Sequence, residues 1–68
     1  MTDYGALKAE ILSSGMTMTS IAVRSGIPRV TLYNRMRGIG EFKASEIDGL
    51  TKTLRLSKAQ RDAIFFAK

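Results

Sequence analysis

The sequence contains no cysteine and no histidine. Without cysteine no disulfide bond can form, and without either residue the chain lacks the usual ligands of structural zinc and the most frequent general base of enzymes. It has no glycine-rich phosphate loop, and its six acidic residues are scattered without the paired spacing that acid–base catalysis or a metal site needs. We therefore expect no enzyme, no cofactor, no metal site and no small-molecule substrate.

Long hydrophobic runs are also missing. No apolar stretch approaches the roughly 20 residues of a membrane-spanning helix, and the first ten residues lack the basic and apolar regions of an export signal. The chain of 68 residues is 44% hydrophobic and 25% charged, which is a globular composition with room for one domain and a small core. These features predict a single soluble domain in the cytoplasm.

The positive charge is unevenly distributed. Of the net charge of +5, residues 16–43 carry five basic side chains against Glu41, a net +4, whereas residues 1–15 are net −1 and residues 44–68 net +2. A basic region of this kind suits a polyanion, either nucleic acid or an anionic membrane surface. The alternative is a charged surface that serves only solubility.

Apolar residues recur at helical spacing in several segments, which predicts an all-α bundle of about five short helices. The first helix is expected over residues 3–14, with Asp3 or Thr2 as its cap and Gly15 as its end. Phe42 is expected to cover the core ahead of the fourth helix. The apolar stripes of the first and fourth helices are Tyr4, Leu7 and Ile11, and Ile47, Leu50 and Leu54.

Residues 17–37 have the pattern of a helix-turn-helix. Thr17 is placed as an N-cap, Met16 and Ile21 are placed as a hydrophobic staple, and Gly26 supplies the left-handed conformation of a sharp corner. Pro28 suits the first turn of the next helix, which we expect over residues 28–37 without a side-chain cap. Such a motif offers its second helix to the major groove of DNA.

The side chains expected on the exposed face of that second helix can all contact nucleic acid. Leu32 and Met36 define its buried side, so the opposite face carries Arg29, Val30, Tyr33, Asn34 and Arg37. Arginine can hydrogen-bond guanine twice, asparagine can do the same with adenine, valine can touch a thymine methyl group and tyrosine can reach a phosphate. Each of these residues could equally be a solvated surface residue, and Arg37 is also favoured by the helix dipole alone.

A family resemblance rests on the same residues. The run TMTSIAVRSGIPRVTLYNRMRG, with Thr17, Ile21, Ala22, Ser25, Gly26, Ile27, Thr31, Leu32 and Gly38 in the pattern positions, resembles the Cro and repressor class of phage helix-turn-helix regulators, which have the lambda-repressor-like fold. The C-terminal segment also looks like the tail of small regulators of that class. Pro28 departs from the pattern where Ser or Thr usually caps the recognition helix. Arg35 departs from it where many members have an apolar residue, so Met36 is expected to complete the apolar seam.

The resemblance implies a sequence-specific, double-stranded DNA-binding transcriptional regulator that acts at a palindromic operator. Base contacts would come from Arg29, Val30 and Asn34, and backbone contacts from Thr17, Met18, Thr19, Tyr33 and Arg37. Independently of the resemblance, Lys43 could reach a phosphate from its loop, or it could simply be solvated. The alternative from another class is a helical protein-interaction module, such as an antirepressor or adaptor, that does not bind DNA.

The last helix, expected over residues 58–67 with a Ser57–Gln60 capping box, predicts a homodimer. Ala59, Ala63 and Phe66 form one apolar stripe with Ile64 beside it, whereas Phe65 follows Arg61 and Asp62 on a polar face. Phe65 is therefore expected to be exposed and available to a second copy, and Phe65 and Phe66 are assigned to the dimer interface. The alternative is that the tail frays and Phe65 folds back on the first helix.

Overall fold

A computed structural model describes residues 1–68 and contains five α-helices and no strand, which confirms the predicted all-α bundle. In chain order the helices are α1 (Tyr4–Ser14), α2 (Met18–Ser25), α3 (Arg29–Met36), α4 (Ala44–Thr53) and α5 (Lys58–Phe65). None of the five has the length and apolar character that would let it cross a lipid bilayer.

Three helices begin at the predicted capping residues. Oδ1 of Asp3 accepts a hydrogen bond from the Ala6 amide at 3.0 Å, and Oγ1 of Thr17 accepts one from the Ser20 amide at 3.1 Å. The capping box of α5 is reciprocal, because the Gln60 amide donates to Ser57 Oγ at 3.1 Å and the Ser57 amide donates to Gln60 Oε1 at 2.8 Å. Local sequence therefore determines where α1, α2 and α5 start.

Helix α3 begins as its proline requires. Pro28 is the residue before the helix, with φ −56° and ψ 138°, and no side chain caps the first turn. The expected absence of a cap is confirmed, and α3 is one residue shorter at each end than the predicted 28–37. Its entry is defined instead by Ile27, which is buried and whose amide donates to the Ala22 carbonyl at 3.0 Å.

The core is a single cluster to which every helix contributes. Helix α2 packs most extensively on α4, α3 rests on α2, and α5 lies against α1 and α4. Phe42 and Met36 are half-buried against the cluster, as predicted. The buried apolar residues are Leu7, Ile11, Ile21, Ala22, Ile27, Leu32, Leu50, Leu56, Ile64 and Phe65.

The predicted buried face of α5 is confirmed at Ile64, which is 3% exposed, and is wrong at its other positions. Phe65 is 3% exposed and Phe66 is 55% exposed, the reverse of the expectation, and Ala59 and Ala63 also face solvent. The Phe65 ring packs edge-to-face on Phe42, with the ring centroids 5.3 Å apart. Phe65 is thus unavailable to a second copy, because the Phe42 ring, from the loop before α4, packs on it.

The polar neighbours of Phe65 on α5 do not oppose its burial. Arg61 and Asp62 are only half-buried and hydrogen-bond each other, with Arg61 Nη2 3.0 Å from Asp62 Oδ1. Close by, the N-terminal segment is tied to α5, because the Asp3 amide donates to the Ile64 carbonyl at 2.6 Å. The helix then ends at Phe65, and Phe66 follows with a non-helical φ of −121°.

Gly49 lies where α4 approaches the end of α2 closely. A β-carbon added there would overlap the Ser25 carbonyl oxygen and lie 3.0 Å from the Ser25 carbonyl carbon. Beside this crossing, Ser25 Oγ donates to Thr53 Oγ1 at 3.0 Å. The two helices can therefore pack backbone against backbone only because residue 49 has no side chain.

Arg55 is the one residue other than glycine with a left-handed backbone, at φ 54°. It follows α4 at the position where glycine commonly ends a helix, and beyond it the Leu56 amide donates to the Thr51 carbonyl at 2.9 Å. A left-handed conformation costs an ordinary residue about 1–2 kcal/mol. We expect Arg55→Gly to raise the free energy of unfolding by about 0.5–1 kcal/mol, measured by urea denaturation.

The control for this prediction is Arg55→Ala, which also removes the charge but keeps the left-handed penalty. A glycine variant no more stable than the alanine variant would contradict the expectation.

Candidate nucleic-acid interface

Helix α3 has one buried side and one free side. Leu32 is fully buried and Met36 half-buried, so these two side chains anchor the helix to the rest of the bundle. Met36 packs against the core cluster and Arg35 does not, as the sequence predicts. The turn at residues 26–28 sets the direction in which α3 leaves α2, with Gly26 at φ 71°.

The structure brings the five predicted contact residues of α3 together on its free side. Val30 is 70% exposed and Tyr33 46% exposed. Arg29 and Arg37 are also exposed, and Asn34 is half-buried between its neighbours. Spacings of three and four residues put these side chains on one helical face, so they form a continuous surface.

Two of these side chains are hydrogen-bonded to each other. Arg37 Nη2 donates to Asn34 Oδ1 at 2.8 Å. Bidentate recognition of adenine uses both the amide oxygen and the amide nitrogen of asparagine. The oxygen has a second lone pair and the amide nitrogen is still available, so Arg37 orients Asn34 without using up its hydrogen-bonding capacity.

The cations of this surface are not neutralised by the protein. The three ion pairs of the molecule join Arg35 to Glu46, Lys52 to Asp48 and Arg61 to Asp62. Arg29 and Arg37 therefore have no carboxylate partner. The same is true of Lys43, which is exposed at the start of α4 and whose amide, not its ammonium group, interacts with Glu46.

Arg35 has a structural role that the sequence did not reveal. Its Nε lies 3.2 Å from Glu46 Oε1 in a pair whose side chains are only 16% and 11% exposed. Its Nη1 also donates to the Ile39 carbonyl at 3.2 Å. The pair connects the end of α3 to the start of α4, and thus helps to fix the angle at which α3 is presented. A glutamate three residues after an N-cap is a recognised signal, but Lys43 is not a usual cap residue.

The start of α2 offers fewer side chains for contacts with a phosphate backbone than predicted. Thr17 and Thr19 are exposed, and the Thr17 hydroxyl, which already accepts from Ser20, still has a proton to donate. Met18 is half-buried and packs against the core. Only its backbone is left for a phosphate, in a first turn whose amides have no partner within the helix.

No group of three or more acidic side chains is arranged as metal ligands would be. No protein-family profile matches the chain, and comparison with curated proteins and with solved structures finds no match either.

Proposed function

We propose that this protein is a sequence-specific, double-stranded DNA-binding transcriptional regulator, similar to phage and prophage Cro and repressor proteins and acting in the bacterial cytoplasm. It works by binding and not by catalysis, with α2 and α3 as its helix-turn-helix. One observation carries the proposal. The free face of α3 holds Arg29, Val30 and Asn34 together, and no carboxylate of the protein neutralises its arginines.

Each residue has a defined part in this proposal. In the major groove, Arg29 donates to guanine, Asn34 pairs with adenine and Val30 contacts a thymine methyl group. Around this centre, side chains and first-turn amides bind phosphates and fix the orientation of the protein on the duplex without reading its sequence. The residues that make these phosphate contacts are Thr17, Met18, Thr19, Tyr33, Arg37 and Lys43.

The test compares alanine variants on a preferred site. Arg29→Ala and Asn34→Ala should each lose about 1–3 kcal/mol of binding free energy. Each variant should also lose the preference for one particular base at a single position of the duplex. Fluorescence anisotropy with a labelled duplex and its single-base variants measures both effects.

Arg24→Ala is the matched control, because Arg24 is an exposed, unpaired arginine outside the proposed base contacts. It should weaken binding to all duplexes equally or not at all. If Arg29→Ala and Asn34→Ala bind the preferred site as well as the parent does, the assignment of α3 as the reading helix is wrong.

We further propose that the protein binds a palindromic operator as a homodimer through its C-terminal helix. With Phe65 buried, Phe66, the residue that follows α5, is the side chain offered to a second copy. It lies between two surface hollows, one lined with Ile47 and Arg61 and the other with Tyr4 and Phe42. A domain of this size gains stability from association, and two reading heads about 34 Å apart match successive major grooves.

Phe66→Ser should abolish dimer formation and weaken binding to a palindromic site, as measured by sedimentation with and without the duplex. The control is Ile39→Ser, since Ile39 is 54% exposed and Phe66 is 55% exposed. A protein that stays monomeric on the palindrome, or a Phe66→Ser variant that dimerises like the parent, would contradict this interface.

A second class of function, a protein-interaction module that does not bind DNA, is favoured by exposed apolar side chains next to α3, above all Leu12, which is 79% exposed. It would be recognised by the absence of DNA retention at low salt together with capture of a defined protein partner.

A further inference from the structure

A groove runs between α1 and α3. It has a volume of about 380 Å³. One wall is formed by Lys8, Ile11 and Leu12 of α1, and the other by Tyr33 and Met36 of α3 and Arg37, which follows α3. Met18 of α2 also lines the groove. Each wall thus consists of residues at i, i+3 and i+4, which lie on one face of a helix. A space between two such helical faces has the shape that accepts a third helix.

The groove is apolar inside and open to solvent. Leu12 is 79% exposed and Tyr33 46% exposed, although the neighbouring Ile11 belongs to the core. Small ligands bind where most of their surface is enclosed, whereas this groove is partly open to solvent. An amphipathic helix covers such a groove better, and flexible methionines such as Met18 and Met36 adapt to its side chains.

The charge of the groove indicates which kind of partner segment it binds. Lys8 and Arg37 stand one on each wall, and neither has a carboxylate partner anywhere in the molecule. No acidic residue lines the groove, whereas each of the two hollows near Phe66 includes one, Asp48 or Glu41. An apolar floor with unpaired cations on both sides complements a segment that is apolar on one face and acidic beside it.

We propose that this groove binds an acidic amphipathic helix of a partner protein. The segment inserts leucine-like side chains between Leu12 and Met36 and pairs its carboxylates with Lys8 and Arg37. Tyr33 and Arg37 also belong to the surface assigned to DNA, so the same helix excludes DNA from α3. This last consequence rests on the proposed function, but binding to the groove does not.

The test uses a labelled synthetic peptide helix with leucines at i, i+4 and i+7 and glutamates at the flanking positions. Fluorescence anisotropy measures its binding to the 68-residue chain without DNA. Two probes serve as controls, a peptide of the same composition with the leucine stripe scrambled and a peptide with lysines in place of the glutamates. Only the acidic, striped peptide is expected to bind.

Two surface variants locate the site. Leu12→Ser should weaken peptide binding about tenfold or more, because the variant loses the apolar area that Leu12 buries against the peptide. Lys8→Glu should weaken it and raise the affinity for the lysine peptide. The matched controls are Val23→Ser, with Val23 75% exposed, and Arg24→Glu, both outside the groove. Circular dichroism of each variant checks that it is folded.

The proposal is overturned if the acidic peptide does not bind, if the scrambled peptide binds equally well, or if Leu12→Ser and Lys8→Glu bind like their controls. It is also overturned if sodium decanoate, a small anionic amphiphile, occupies the groove and the peptide does not. Displacement of a duplex by the peptide tests the exclusion of DNA. A chain that binds the peptide but retains no DNA at low salt would contradict the proposed function and leave the groove assignment supported.

Discussion

Gly49→Ala is expected to lower the free energy of unfolding by about 3 kcal/mol or more. The new methyl group would overlap the Ser25 carbonyl oxygen, and a backbone group cannot turn aside as the end of a flexible side chain can. Helices α2 and α4 would have to separate, which would loosen the core cluster that contains Ile21 and Leu50 and strain the Ser25–Thr53 hydrogen bond. A domain of this size has only roughly 3–5 kcal/mol of stability, so the variant should be largely unfolded near physiological temperature.

Thermal unfolding followed by far-UV circular dichroism measures this loss. Gly5→Ala is the matched control, because a β-carbon at Gly5, also within a helix, would meet nothing closer than Asp3 Oδ1 at 3.5 Å. Alanine is the better helix former, so the control should gain up to about 1 kcal/mol. A Gly49→Ala variant as stable as the parent would mean that α2 and α4 do not cross at this distance.

Glu46→Ala is expected to destabilise the fold by about 3 kcal/mol, because removal of one member of a mostly buried ion pair leaves the other charge without compensation. Oε1 of Glu46 accepts from Arg35 Nε at 3.2 Å and from the Lys43 amide at 2.9 Å. The variant therefore also loses the hydrogen bond that starts α4. Urea unfolding gives the change in free energy.

Asp48→Ala is the control, because it removes one member of an ion pair that is exposed to solvent. Asp48 lies on the same helix and pairs with Lys52 at 3.0 Å, but both side chains are largely exposed. Exposed pairs of this kind contribute about 0.3–0.5 kcal/mol. Equal losses in Glu46→Ala and Asp48→Ala would show that the Arg35–Glu46 pair does not hold α3 and α4 together.

Sequence was most informative where structure is local. The caps at Asp3, Thr17 and Ser57 and the left-handed glycines Gly15 and Gly26 are each determined by a few neighbouring residues. The apolar stripes of α1 and α4 correctly indicate the buried side at Leu7, Ile11 and Leu50, whereas Tyr4, at the start of the α1 stripe, is 37% exposed. Apart from Tyr4, local preference and tertiary packing agree in these helices.

Sequence was least informative where a residue's environment comes from elsewhere in the chain. Arg61 and Asp62 on its own helix predict an exposed Phe65, yet the packing partner of Phe65 is Phe42, on a loop that precedes α4. The Gly49 crossing and the Arg35–Glu46 pair likewise depend on how separate helices meet. Such contacts have no signature in periodicity.

The candidate site stands between these two cases. Helical spacing was enough to group the α3 residues on one face, since Leu32 fixes which side is buried. It could not reveal that Arg37 hydrogen-bonds Asn34, or that Met18 turns toward the core. Those details depend on side-chain conformations and on the packing of α2 against its neighbours.

Selection of bound sites from a pool of random duplexes at low salt, repeated with Arg29→Ala, tests the central claim most directly. The proposed function predicts that the parent enriches a palindromic sequence with half-sites about 34 Å, or about 10 base pairs, apart. The variant should enrich the same sequence with one position in each half-site relaxed. A pool that stays random after repeated selection with the parent, or a preference that Arg29→Ala leaves unchanged, would contradict the claim that α3 reads DNA.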